Sequence, residues 1–194
     1  MQRGSSPKSH KRAKILPIFK NKDKLGVTNF RPIYIQTVIN KVYKNVFYNR
    51  LYNYFSVNIL LSSSQFGLRS GASTEHDLLK FSDDILKLFD QKKVAISTFM
   101  DLSKALVCVD HNILFSKLKR YGIHVTALQW INNYLAGREH FVSWNQTHAS
   151  LLNLNIGVPQ GSILVPKLFL IYINDIVSCS NVVSFVLFAD DTTV

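Results

Sequence analysis

The closing segment, residues 182–194, constrains the fold most, because it sets two adjacent acids between two runs that favour extended strands. It reads "VVSFVLFADDTTV", with Asp190 and Asp191 behind the apolar run. β-Branched and aromatic residues favour strands and Asp favours turns, so the segment predicts a hairpin with both carboxylates at its turn. Taken alone, the pair is best interpreted as a surface turn without chemistry.

A second predicted strand also ends on an acid. "VAISTFMD", residues 94–101, ends on Asp101, far from the hairpin along the chain. Apolar residues at helical spacing predict helices near residues 37–55, 74–89, 111–120, 127–137 and 161–176. Because the strands that carry the acids are far apart in sequence, the pattern predicts an α+β fold rather than an alternating parallel sheet.

The first two helices have predicted buried faces. In the first, the apolar positions at helical spacing are Val38, Ile39, Val42, Val46, Phe47, Leu51 and Phe55. The second is predicted to start with a capping-box-like pair, Thr74 and Asp77. Its predicted face consists of Leu78, Phe81, Ile85, Leu88 and Phe89.

Positive charge is concentrated in the first quarter of the chain. Residues 1–50 hold twelve Lys or Arg and one acid, whereas acidic and basic residues balance in the remainder. The excess therefore indicates a polyanionic partner at that end. Between Arg31 and Arg50 the cations alternate with aromatic residues, which suits a nucleic-acid strand and equally suits a helix with snorkelling lysines.

Several other classes of protein are disfavoured. Residues 1–13 are basic without an apolar stretch behind them, so they indicate a loose leader rather than a secretory signal. Runs such as "KLFLIYI" are too short to span a bilayer, so no membrane partner is expected. Cys108 and Cys179 lack metal-ligand spacing and predict two buried thiols in a reducing compartment, with no disulfide-linked partner.

A lone carboxylate at a strand end and a carboxylate pair in a hairpin turn suit one kind of chemistry. Nucleotidyl transfer develops charge on the attacking and leaving oxygens, and two divalent ions can stabilise both. Mg²⁺ takes hard oxygen ligands and leaves coordination positions for phosphate and water. A cation of this kind would also offset the repulsion between Asp190 and Asp191.

Five segments, in the family's order, resemble the motifs of reverse transcriptases. "FADDT" resembles the [FY]-x-Asp-Asp motif, and "FMDLSKALVCVDHNILFSKLKRYGI" resembles the segment with the first catalytic Asp. "GVPQGSILVPKLFLIYINDI" resembles the Gly-x-Pro-Gln-Gly segment, while "NFRPI" and "QFGLRSGASTEH" resemble two fingers motifs. Together they cover the chain from about residue 14 and are most similar to enzymes of non-LTR (LINE-like, jockey-like) retrotransposons.

The resemblance implies a right-hand polymerase fold with RNA-directed DNA polymerase activity. Residues 14–93 would be mainly fingers with a palm-supporting helix, and residues 94–194 a palm truncated after the catalytic hairpin, with the thumb absent. Implied cofactors are two Mg²⁺ ions, with Mn²⁺ as the alternative. Implied partners are an RNA template, a DNA primer and deoxynucleoside triphosphates, in the nucleus or in a cytoplasmic ribonucleoprotein.

The resemblance also implies roles for single residues. Asp101, Asp190 and Asp191 would be the catalytic acids and the metal ligands. The residues implied to bind nucleotide or template are Arg31, Lys41, Arg69, Leu106, Pro159, Gln160 and Gly161. For Lys41, a solvated position on a helix face remains an open alternative.

Other motif residues are interpreted as structural. Asp110 and His111, in "VDH", are predicted to be a helix cap and a packing pair. Trp130, Tyr134 and Phe141 are predicted to belong to the core rather than to stack on nucleic acid.

The sequence departs from the family pattern at several positions. Leu106 replaces a Phe that packs on the sugar, which predicts weaker discrimination against ribonucleotides, and Val107 replaces an Asp. Val165 and Lys167 stand where the family has Gly and Leu, and Val165 is expected to resist backbone angles that Gly adopts. Two alternatives stay open: a catalytically inert RNA-binding remnant, and a relative of telomerases or group II intron maturases.

Overall fold

The structure is a computed structural model that describes residues 11–20, 23–35, 37–102, 105–154, 156–159 and 161–194. The strands are β1 (Arg12–Phe19), β2 (Phe30–Ile35), β3 (Phe99–Asp101), β4 (Arg138–Trp144), β5 (Thr147–His148), β6 (Leu152–Leu154), β7 (Val186–Phe188) and β8 (Asp191–Thr193). The helices are α1 (Val38–Val57), α2 (Thr74–Asp90), α3 (His111–Arg120), α4 (Val125–Leu135) and α5 (Leu164–Ile173). Short 3₁₀ turns cover Val27–Asn29 and Ile176–Ser178.

The strands form two sheets. The larger sheet has the order β2-β1-β4-β5, with β6 also paired to β4; β1 and β4 run parallel and its other pairs are antiparallel. The smaller sheet has the order β3-β8-β7 and is antiparallel throughout. The α+β prediction is confirmed. The boundary between residues 93 and 94 stays a prediction, and the β1–β4 pair joins the segments on its two sides.

The core lies where α1, α3, α4 and α5 pack together. Helix α5 is apolar almost all round, and Leu164, Leu168 and Leu170 on it are fully buried. Each such leucine contributes about 1.5–3 kcal/mol of burial free energy. Tyr134 is buried and Trp130 packs against this core, as predicted, whereas Phe141 is half-buried on β4, outside this core.

The Asp110–His111 pair has the structural roles predicted for it. The Asp110 carboxylate accepts hydrogen bonds from the backbone N–H groups of Asn112 and Ile113, at 2.8 and 3.0 Å, and so caps α3. The Nε2 atom of His111 lies 2.7 Å from the carbonyl oxygen of Gly157.

The predicted buried face of α1 is wrong over its first half. Val38, Ile39 and Val42 are exposed, and the buried positions of that half are Asn40 and Lys44. Only the second half, with buried residues Phe47, Leu51 and Phe55, follows the predicted apolar face. The buried positions form one continuous face along α1, and the first half of that face is polar.

Helix α2 also differs from its prediction. Its cap is Ser73, one residue before Thr74, because the Ser73 hydroxyl accepts the hydrogen bond from the backbone N–H of His76. No residue of α2 is buried, and Leu78 and Phe89 of the predicted face are exposed.

Strand β3 is shorter than the predicted strand over residues 94–101. Its partner β8 ends at Thr193, and beyond the ladder only Thr98 exchanges backbone hydrogen bonds with Val194. Val94 and Ile96, which have no ladder partner, are exposed.

The expectation that both thiols are buried is wrong. Both thiols are free and exposed, because Cys108 lies in the loop before α3 and Cys179 follows the last 3₁₀ turn. Val165 is buried in the first turn of α5 with ordinary negative φ, so it does not take the conformation of a glycine. None of the helices in the described ranges is both long and apolar enough to cross a membrane.

Candidate active site

Strand pairing brings the lone acid and the paired acids together. Asp101, the last residue of β3, is the register partner of Asp191, the first residue of β8. Asp190 lies in the turn between β7 and β8, and its carbonyl oxygen accepts a hydrogen bond from the backbone N–H of Leu102 at 3.3 Å. Paired residues in antiparallel strands have Cα atoms about 4.5–5.5 Å apart. All three aspartates are exposed at one end of the small sheet.

The segment 64–67 is hydrogen-bonded to β7 and to this turn. The backbone of Phe66 donates to Leu187, which in turn donates to Ser64, so the segment runs beside β7. The buried Gln65 side chain accepts hydrogen bonds through Oε1 from the N–H groups of Gly67 and Ala189, at 2.8 and 3.1 Å. The turn is therefore fixed by a side chain from a distant part of the chain.

The contact between this segment and the turn accounts for the conformation of Ala189 and for the glycine at position 67. Ala189 adopts φ +57°, a left-handed conformation that costs an alanine roughly 1–2 kcal/mol. A Cβ on Gly67 would lie 2.1 Å from the backbone nitrogen of Ala189. Only glycine allows the two backbones to approach so closely.

The electrostatic environment of the turn is acidic. Burial and the negative charge of Asp191 raise the pKa of Asp77, whose Oδ1 has no hydrogen-bond partner among the described residues. Within those ranges, no cation forms an ion pair with Asp101, Asp190 or Asp191. Asp77, which the sequence analysis assigned to helix capping, is thus a fourth acid near the turn.

The donor chemistry of the site fits a divalent cation. Exposed carboxylates are hard oxygen ligands, and their mutual repulsion here is not offset by protein cations in the described part of the chain. Backbone register places Asp101, Asp190 and Asp191 together. In their present conformations, however, no three His, Cys, Asp or Glu side chains of the described residues lie close enough together to hold a metal ion.

Two of the predicted nucleotide- or template-binding residues meet at a cavity. Lys41, in the first turn of α1, and Gly161 both line a cavity of about 510 Å³, together with Tyr34 and Ser162. Gly161 has φ +82°, and a Cβ there would contact the Tyr34 carbonyl oxygen at 3.5 Å. The cavity thus lies between the start of α1 and the segment before α5.

The segment around Leu106 is hydrogen-bonded to the segment before Pro159. The Leu106 carbonyl accepts from the backbone N–H of Val158 at 2.9 Å, and Leu106 itself is half-buried against the core. Pro159 is buried. Gln160 lies outside the described residues. Gly157 has φ +77°, and a Cβ there would lie 2.4 Å from the Val107 carbonyl oxygen, so close packing requires glycine.

Two predicted residues lie elsewhere. Arg31 is exposed on β2, opposite Ile18, and belongs to the larger sheet rather than to the sheet of the aspartates. Arg69 is half-buried, and its Nη1 donates to the Ser62 carbonyl at 2.9 Å, so it stabilises its own loop. The binding roles of both residues stay predictions.

Sequence reasoning missed Gln65, Gly67 and Asp77 at this site. The motif "QFG" resembles part of a fingers motif, and its glycine does not indicate which turn it contacts. Asp77 was masked by its position near a helix start, where acids are common.

An acid at the end of one strand, paired with two acids at an adjacent turn, is the arrangement that metal-assisted nucleotidyl transfer needs. The fold and the site therefore agree with the class of polymerase-type nucleotidyltransferases that the sequence motifs resemble.

The comparisons with known proteins are specific about the family. Residues 18–194 match the family described as reverse transcriptase (RNA-dependent DNA polymerase). The chain is 31% identical over 182 residues to the probable RNA-directed DNA polymerase from transposon BS of Drosophila melanogaster, a match to 90% of this chain and 19% of that protein. It is 29% identical over 199 residues to the RNA-directed DNA polymerase from mobile element jockey of the same species, a match to 98% of this chain and 22% of that protein.

The chain belongs to the reverse transcriptase family, and its domain is of the non-LTR retrotransposon kind. It spans about a fifth of the length of the relatives named above. Among solved structures, the apo telomerase of Candida tropicalis truncated from its C-terminal domain has a similar fold, with a TM-score of 0.62 and 17% identity. That match covers 97% of this chain and 44% of the telomerase chain, and at this identity it bears on the fold alone.

Proposed function

We propose that this chain forms the fingers and palm of an RNA-directed DNA polymerase that extends a primer 3′-OH on an RNA template. The observation that carries the proposal is the register of Asp101 with Asp191, with Asp190 in the adjoining turn. Membership of the reverse transcriptase family supplies the reaction class. In the reaction, the primer oxygen attacks the α-phosphate of a deoxynucleotide, and pyrophosphate leaves.

The acidic residues are proposed to hold the divalent ions. Asp101 and Asp190 would be the direct ligands, and Asp191 would support them or the primer end. Two Mg²⁺ ions, when bound, supply charge stabilisation at the attacking and leaving oxygens. The protein fixes the backbone positions of the ligands through the β3–β8 ladder and through the hydrogen bond that the Ala189 N–H of the turn donates to the Gln65 side chain.

The surrounding residues are proposed to position the substrates. Gly161, which lacks a side chain, lets nucleic acid approach the backbone. Lys41 lies exposed on the same cavity and would contact phosphate as a point charge. Leu106 would lie under the sugar of the incoming nucleotide, with Pro159 and Gln160 beneath the nascent base pair.

Primer extension tests the proposal. The 194-residue chain is given an RNA template, a labelled DNA primer, deoxynucleotides and Mg²⁺, and is compared with Asp190→Asn and Asp101→Asn. Changes one shell away from a metal commonly cost 10–100-fold, so loss of a direct ligand is expected to lower extension by at least about 100-fold. Asp90→Asn, an exposed acid at the end of α2, is the matched control and is expected to extend normally.

The outcomes separate the proposal from its rival. Unchanged extension by Asp190→Asn would contradict the assigned role of the turn. If wild-type and variants all fail to extend a primer but bind RNA with strong salt dependence, the inert RNA-binding remnant is the correct interpretation. The specific observation behind that rival is the concentration of net charge in residues 1–50.

A further inference from the structure

A buried lysine lines the cavity between α1 and the segment before α5. Lys44 is only 2% exposed, yet its Nζ atom has no hydrogen-bond partner in the described part of the chain. The same residue borders the cavity of about 510 Å³ that Tyr34, Lys41 and Ser162 also line. An ammonium group buried without a partner is costly, so such a position calls for an explanation.

A second buried cation lies beside the first. Arg138, at the start of β4, is 3% exposed and donates through Nη1 to the Tyr134 carbonyl at 3.0 Å, while its Nη2 has no partner among the described residues. The Lys44 Nζ lies 5.3 Å from the centroid of the Tyr134 ring, and the Arg138 Cζ lies 5.0 Å from it. Both cations therefore pack on one aromatic ring, which offsets part of their desolvation.

The charges that act on Lys44 are all positive. Burial, followed by Arg138 and Lys41, lowers the pKa of Lys44 to about 7. The described ion pairs of the molecule include neither Lys44 nor Arg138. The group of three cations thus has a net positive potential that no described carboxylate neutralises.

Hydrogen-bonding groups surround the cations at the cavity. The Tyr134 hydroxyl donates to the Ser162 hydroxyl oxygen at 3.1 Å. Because Ser162 is the acceptor in this bond, its own O–H can still donate to another acceptor. Gly161, beside Ser162, is exposed and has no Cβ to obstruct the cavity. These groups suit an anion with several oxygens, because each oxygen can accept from a different donor.

We propose that this cavity is an anion site at which the Lys44 ammonium binds a phosphate group directly, with Arg138 supplying further positive potential from beside Tyr134. The phosphate can come from a nucleic-acid backbone or from a nucleotide or pyrophosphate. This site would add a phosphate contact to the proposed polymerase function. It depends on that function only for the choice between these two sources of phosphate. The binding itself needs neither the aspartates nor a metal ion.

Calorimetric titration tests the site. Sodium pyrophosphate and inorganic phosphate are titrated separately into the 194-residue chain at pH 6.5, without Mg²⁺ and with ionic strength matched by NaCl. Lys44→Met removes the ammonium group and keeps an unbranched apolar stem. The variant loses a hydrogen bond to a charged group, so it is expected to bind at least about 10-fold more weakly.

Lys167→Met is the matched control. Lys167 is a second buried lysine, 1% exposed, whose Nζ also has no hydrogen-bond partner among the described residues. It packs over the ring of Tyr52 at 4.4 Å and is not among the residues that line the cavity. The control is expected to bind within about 2-fold of wild type, and thermal melts establish that both Met variants are folded. Equal affinity in wild type and Lys44→Met, or no binding to wild type, would overturn the proposal.

Competition identifies the source of the phosphate. A short single-stranded RNA with hydroxyl ends, which carries only phosphodiesters, is added to the pyrophosphate complex, and a deoxynucleoside triphosphate is added in a parallel sample. Displacement by the RNA that depends on Lys44 assigns the site to the backbone, and displacement by the nucleotide alone assigns it to the triphosphate. Asp190→Asn is expected to retain the binding while losing primer extension, so failure of one inference leaves the other testable.

Discussion

Leu106 connects a single residue to the choice of substrate. Its backbone carbonyl is hydrogen-bonded to Val158, and its side chain is half-buried against the core. The backbone of Leu106 is thereby held beside Val158, the residue before Pro159. A leucine at this position is smaller than the phenylalanine that the family resemblance implies there, and it offers no flat face to a sugar.

Leu106→Phe is therefore expected to increase selectivity for deoxynucleotides over ribonucleotides by about 10-fold, the scale of one apolar contact in a pocket. Selectivity is measured as the ratio of kcat/KM values for the two nucleotides in primer extension. Leu60→Phe, a leucine partly buried against the same core, is the matched control and should leave the ratio unchanged. Equal ratios for wild type and Leu106→Phe would contradict the assigned position under the sugar.

The β7–β8 hairpin is an element whose geometry depends on another part of the chain. Its turn contains Ala189 in a left-handed conformation and is hydrogen-bonded to Gln65. A three-residue strand on each side is too short to hold such a turn alone. The backbone of Gly67 also packs closely against the backbone of Ala189 and helps to hold the turn in place.

Gly67→Ala is expected to displace the turn, because its Cβ would lie 2.1 Å from the Ala189 nitrogen. A displacement of about 1 Å at a catalytic site can cost about 100-fold in rate, and primer extension is expected to fall by that amount. Gly71→Ala is the control: Gly71 has φ +78°, yet a Cβ there meets nothing within 4 Å. It should cost about 1 kcal/mol in thermal or denaturant unfolding and little activity. Equal loss of extension in both variants would refute the contact-based explanation.

The elements also show what sequence can and cannot predict. The hairpin and the strand that ends on Asp101 were predictable, because runs of β-branched and aromatic residues and turn residues are local signals. The face of α1 was not, because helical spacing alone does not tell whether Val38 or Lys44 meets the rest of the molecule. The support by Gln65 was likewise out of reach, since it depends on a contact 124 residues along the chain.

The charges of the whole molecule are divided between its surface and its interior. The net charge is +11, and three of the cations in the described residues, Lys44, Arg138 and Lys167, are buried. Burial is the main cause that lowers the pKa of Lys44 to about 7 and that of Lys167 to about 8, with Arg69 as a further cause for Lys167. The folded state therefore releases protons from both groups at a lower pH than the unfolded chain, where a lysine has a pKa near 10.5.

This difference makes the free energy of unfolding depend on pH. Between about pH 7 and pH 10 the unfolded state binds more protons than the folded state, so stability rises with pH. One pKa unit is worth about 1.4 kcal/mol, and the combined gain from pH 7 to 9.5 is on the order of 2–5 kcal/mol. Above about pH 10 the trend reverses, because burial raises the pKa of Tyr34 and Tyr134 and the folded state then retains protons that the unfolded chain loses.

Urea unfolding followed by tryptophan fluorescence measures this effect, with reductant present because both thiols are exposed. The wild-type chain is expected to become more stable at each step from pH 7 to 9.5. The double variant Lys44→Met with Lys167→Met lacks the groups that titrate in this range, so it should be more stable than wild type at pH 7 and nearly independent of pH. A wild-type stability that is level or falls over the range would contradict the prediction, as would a rise of equal size in the double variant. Each single variant should lose its own part of the slope, with Lys44→Met removing the part that begins near pH 7 and Lys167→Met the part that begins near pH 8.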